Sequence, residues 1–192
     1  MMKVNSIFEN KYLIISVIGS HAGESEADIF RRKQEEIKQA GKSFWLIKSH
    51  KAKTEHVQDI CRTASRENQD VYCVFIEAAQ KSGAIPTKND SVAVKFSSDK
   101  IIWSDIPTGI KVTGKIDKNT TALVFGTLEV IDEDDIDLWN YSDFLHDEQP
   151  IKIMQVSSTL CCIKKNNAGM KSRYRKIVAI GKLKEPFAVW LK

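Results

Sequence analysis

The sequence predicts an α+β protein of mixed α/β character: a strand-helix-strand-helix-strand unit, followed by mainly antiparallel sheet. Two observations carry this. Residues 12–77 alternate short, continuous apolar runs with amphipathic helical patterns, as in sheets whose strands are covered by helices. Beyond Glu77 the pattern changes to short runs of period two, which marks half-buried strands. With 192 residues, 42% of them hydrophobic, the chain can bury one sizeable core and stays below the length at which chains usually divide. A single domain over 1–192 is expected, βαβαβ-like over 12–77 and β-rich over 91–192.

Tyr12 to Ile18, Phe44 to Ile47 and Val71 to Ile76 are β-branched or aromatic runs too short for helices, so each reads as an interior strand. Between the first two, Ser25 can cap a helix with Ile29, Phe30, Ile37 and Ala40 inward, stopped by Gly41. Between the second and third, Thr54 can cap a helix whose apolar face is Val57, Ile60, Cys61 and Ala64. Right-handed crossovers then predict that all three strands are parallel. The second part offers strands at 91–96, 110–116, 122–130, 151–156, 174–180 and 187–191, with a short helix at 136–145. Loops are expected at 79–90, 97–109 and 165–173, the last carrying the turn signal Asn166-Asn167-Ala168-Gly169.

Composition excludes several classes. No apolar run approaches the roughly 18 residues of a membrane-spanning helix, and the first residues lack the pattern of a signal peptide, so a cytoplasmic protein is expected. Cys61, Cys73 and the adjacent Cys161 and Cys162 form no Cys-x-x-Cys pair and no zinc-like grouping with His. Neither a metal nor a cofactor is expected, and the cysteines read as small buried hydrophobes.

Charge is segregated. Residues 129–148 carry nine acids and no Lys or Arg, whereas residues 151–192 carry ten Lys and Arg against the single acid Glu185. The acidic stretch lacks the spaced ligands and central glycine of a calcium loop and reads as a solvated turn whose Asp residues cap the next helix. Within the basic part, Lys164, Lys165, Lys171, Arg173, Arg175 and Lys176 surround Tyr174 about a predicted turn. Such a group can neutralise phosphates while the ring stacks on a base. A solubilising loop, or an internal counterpart to the acids, explains the same residues.

The second candidate surface is the carboxyl edge of the predicted parallel strands, where open α/β sheets bind ligands. Gly19-Ser20-His21 ends the first strand, Lys48-Ser49-His50 follows the second and Glu77 ends the third. His21, His50 and Glu77 are the catalytic candidates and Ser20 and Ser49 the ligand-binding ones, because imidazole beside hydroxyls and a carboxylate suits acid-base work. Ordinary caps and loops account for the same residue types. The loop 19–25 has glycines at a helix start, but it lacks the Lys-Ser/Thr of a P-loop, and Glu24, Glu26 and Asp28 repel phosphate.

The string Ser20-His21-Ala22-Gly23-Glu24 resembles the first loop of TIR domains, some of which hydrolyse nicotinamide dinucleotides; the β-rich second part argues against that class. Ser97-Ser98-Asp99, Trp103 to Ile110, Val112-Thr113-Gly114-Lys115, Leu138 to Tyr141 and Phe187 to Leu191 resemble a group of uncharacterised bacterial proteins, some carried on mobile elements such as integron cassettes. That resemblance implies no activity.

Three functions follow as expectations. The first is a non-catalytic binding or accessory module that contacts nucleic acid or an acidic protein through the basic turn. The second is a small-molecule or nucleotide-binding enzyme or sensor using the strand-end edge. The third is a homo-oligomer in which the acidic block of one copy meets the basic block of another.

Overall fold

In the computed structural model the described residues are 4–18, 25–47, 52–77, 93–96, 110–113, 120–136, 140–145, 150–151, 156, 158–165 and 175–191. The elements are α1 (Val4–Ile7), β1 (Tyr12–Ile18), α2 (Glu26–Ala40), β2 (Ser43–Ile47), α3 (Thr54–Arg66), β3 (Tyr72–Glu77), β4 (Ala93–Phe96), β5 (Ile110–Thr113), β6 (Thr120–Ile136), β7 (Tyr141–Asp143), β8 (Leu160–Lys164) and β9 (Arg175–Leu191). A seven-stranded mixed sheet has the order β2-β6-β9-β3-β1-β8-β7, and β4 and β5 form a separate two-stranded ribbon. This is the expected α+β class, with strand-helix-strand-helix-strand first.

The helices form for the reasons the sequence gives. Ser25 caps α2 by accepting from the Asp28 N–H, and Gly41 takes the left-handed conformation (φ 71°) that closes it. In α3, Val57, Ile60, Cys61 and Ala64 are all buried as their spacing requires, but the N-cap is Lys53. Thr54 instead lies inside the helix, its hydroxyl 3.0 Å from that of Thr121.

The parallel expectation holds for two strands and fails for the third. β1 and β3 are parallel neighbours in register from Leu13↔Tyr72 to Ile18↔Glu77. β2 lies at the far edge, antiparallel to β6, with Phe44 opposite Val124 and Ile47 opposite Thr121. An apolar run specifies burial but not a partner, and Ala122 to Phe125 of β6 supply an equally apolar one.

Strand alternation splits the core into two layers. Tyr12, Ile14, Ile18, Cys73, Phe75 and Cys161 face α2 and α3. Leu13, Ile15, Val74, Ile76 and Cys162 face the other side, where Ile7 and Tyr141 pack. The adjacent cysteines thus point to opposite faces, and both are buried because both faces are covered.

Other differences lie in the second part. The expected strands at 174–180 and 187–191 are one strand, β9. Between Phe125↔Leu183 and Leu123↔Ala188, β9 carries four intervening residues against one in β6, a wide bulge in which Phe187 adopts φ 65°. The expected helix at 136–145 is absent from its described residues. Ile136 still belongs to β6, and Tyr141–Asp143 pair with β8, where the Tyr141 hydroxyl donates to the carbonyls of Phe8 and Asn10. The acids 129–135 accordingly lie on β6 and form no turn. For 151–156, only Ile151 and Val156 are described, and neither is in a strand.

Candidate functional site at the carboxyl edge of the parallel pair

The carboxyl ends of β1 and β3 meet at Ile18 and Glu77, which are register partners. Arg175, the first residue of β9, fixes this corner. Its Nε and Nη2 donate to the Glu77 carbonyl at 3.1 and 2.6 Å, and its Nη1 donates to the Val156 carbonyl at 2.7 Å. The residue is only 6% exposed. Burial lowers the guanidinium pKa and the Glu77 charge raises it; an arginine remains a cation in a folded protein. Below the corner, the buried hydroxyls of Ser16 and Thr159 are 2.8 Å apart. Backbone and charge are therefore satisfied internally, while the Glu77 side chain remains half-buried at the edge.

Of the expected catalytic set, Glu77 occupies this edge. Ser20 and His21 lie outside the described residues and follow Ile18 in sequence after Gly19. Ser49 and His50 also lie outside them. They follow β2, whose last residue pairs with Thr121 rather than with β1 or β3. The expected meeting of His21, His50 and Glu77 required three parallel neighbours, and only two exist.

The basic set divides as well. β8 is antiparallel to β1 and β9 is antiparallel to β3, so β8 and β9 run in the same direction. Strands so related cannot be joined by a tight turn. Lys164 ends β8 where β1 begins, beside the pair Tyr12↔Ile163, and its Nζ donates to the Phe8 carbonyl at 2.7 Å. The Lys165 N–H donates to the Asn140 carbonyl at 2.6 Å. Arg175 and Lys176 open β9 at the opposite end of the sheet, where β3 finishes. Arg175, expected to contact nucleic acid, is buried on backbone carbonyls instead. Lys176 is half-buried, and Lys171, Arg173 and Tyr174 lie outside the described residues.

The two charge blocks are neighbours within one chain: Ile136 pairs with Arg175 and Glu133 with Ile177. The acids thus flank the start of β9 along a strand whose outer half, past Phe125, is not paired with β2.

Sequence reasoning missed two groups. Arg175 carried no local sign of burial, since an Arg opening a strand usually faces solvent. The second group was legible: Lys33 and Glu36 fall four and seven residues after Ile29, on the inward face of α2, and both are buried. Glu36 accepts from Ser43 Oγ at 2.5 Å and pairs with Lys33 and Arg32 at 2.8 and 3.1 Å, while Lys33 Nζ lies 3.6 Å from the Phe44 ring centre. This cluster ties β2 to α2.

Among the described residues no group of three or more His, Cys, Asp or Glu could hold a metal ion, and no helix is long and apolar enough to cross a membrane. Fold and edge together define an α+β protein with a mixed sheet that holds, among the described residues, one parallel strand pair, β1 and β3. No family model, curated protein or solved structure matches the chain.

Proposed function

We propose that the chain binds a small molecule or nucleotide at the carboxyl edge of β1 and β3, as an enzyme or sensor. Glu77 supplies the carboxylate, and Ser20 and His21 supply the hydroxyl and imidazole from the segment that follows β1. The supporting observation is the Ile18↔Glu77 register pair, because adjacent parallel strand ends are where such sheets take ligands. His50 and Ser49 are not required. The acids Glu24, Glu26 and Asp28 disfavour a triphosphate and favour a ligand of low charge. The resemblance in residues 97–115 and 138–141 contributes no activity to this reading.

The test is an amide chemical-shift titration with adenosine, AMP and NAD as separate probes. Shifts gathered at Ile18, Glu77 and residues 19–24 are expected. An unmoved edge with all three probes at millimolar concentration overturns the reading.

The charge balance of residues 151–192 favours a second reading, contact with nucleic acid or an acidic protein through Lys171, Arg173, Tyr174 and Lys176. Its test is the salt dependence of binding to a DNA or RNA oligonucleotide, before and after Lys171, Arg173 and Lys176 are changed to Ala. Arg175 is left in place because its removal disturbs the fold. No binding at low salt ends this reading for nucleic acids. The third reading has less support, because acids and cations are already neighbours on β6 and β9 of a single chain.

A further inference from the structure

No further inference is drawn: the strongest candidate, the start of helix α3, where the N-cap Lys53 makes no side-chain bond and His56 Nδ1 is buried with no hydrogen-bond partner among the described residues, rests on a helix N-terminus and on a histidine that is itself partly exposed rather than sealed into a site.

Discussion

The Arg175 guanidinium grips the carbonyl oxygen of Glu77 with two N–H groups, at 3.1 and 2.6 Å, and reaches the Val156 carbonyl with a third. Truncation to Ala removes charge-assisted hydrogen bonds and leaves two carbonyls without that donor. R175A is expected to lose about 2–4 kcal/mol of stability in urea unfolding. R175K keeps the charge but cannot span both carbonyls as a planar fork, so it should fall between R175A and the native protein. An unchanged midpoint for R175A contradicts this role.

The elements most legible in the sequence were those whose periodicity alone fixes burial. Val57, Ile60, Cys61 and Ala64 declared the α3 face, and Ser25 and Gly41 declared the ends of α2. Partners were not legible. Phe44-Trp45-Leu46-Ile47 fits a parallel neighbour of β1 as well as an antiparallel neighbour of β6, and long-range packing makes that choice: Trp45 stacks on Phe30 and meets the Phe75 ring at 4.7 Å between centroids. The acids of β6 were misread because Asp and Glu disfavour strands intrinsically, whereas pairing with β9 holds them there. Of the candidate site, the position of Glu77 at a strand end was legible. The buried role of Arg175 was not, because it depends on the sheet order β9-β3-β1.

Gly181 and Gly126 separate close packing from loose packing. A Cβ at Gly181 would come within 2.8 Å of the Phe125 ring and 3.3 Å of Leu128, and Phe125 is held against Phe75 at 5.7 Å between centroids. G181A should cost about 1–3 kcal/mol. At Gly126 the Cβ meets the exposed Lys184 chain, its Cδ at 2.9 Å and its Cβ at 3.2 Å. The Cδ can swing away while the Cβ must yield by a few tenths of an ångström, so G126A should cost less than G181A, about 1 kcal/mol. Urea midpoints in the reverse order contradict this account.

Glu67 receives Lys11 Nζ at 2.9 Å and the Tyr12 hydroxyl at 3.0 Å. The bond from Lys11 holds its carboxyl below the ordinary range. A depressed carboxyl pKa contributes stability above the unfolded value of about 4.3 and loses it as pH falls through the folded value. Lys11 is shifted upward, first by Tyr12 and then by Glu67; its contribution is present below about 10.4 and fades as pH rises through its folded value. The stability difference between the native protein and E67Q should therefore be constant near neutrality and shrink below about pH 4. A difference that persists undiminished at pH 3 contradicts the pairing.

All four cysteines are buried. Desolvation raises each thiol, Cys161 to about 12 and Cys61, Cys73 and Cys162 well above their ordinary value. Since only the thiolate attacks, the folded protein should react with a disulfide reagent at pH 8 at least about a thousandfold more slowly than in urea, where opening no longer limits access. One thiol reacting rapidly in the folded state contradicts the packing of its strand or helix.

Glu77 offers the most direct test of the edge, because its backbone and side chain have separable tasks. The Arg175 clamp uses the Glu77 carbonyl, so E77Q leaves the clamp intact and neutralises only the carboxylate. The carboxylate charge also offsets part of the desolvation of the buried Arg175 guanidinium, so E77Q should cost about 0.5–1.5 kcal/mol, less than R175A. If His21 shares the edge, E77Q should move the His21 imidazole resonances and leave those of His50 in place, since β2 pairs with β6 and not with β3. Any probe that shifts the edge amides should bind E77Q about tenfold or more weakly, the scale of one lost hydrogen bond to a charged group. Equal movement of His21 and His50 would restore the three-residue constellation that the strand order opposes. Movement of neither, with undiminished probe binding, would remove Glu77 from the site.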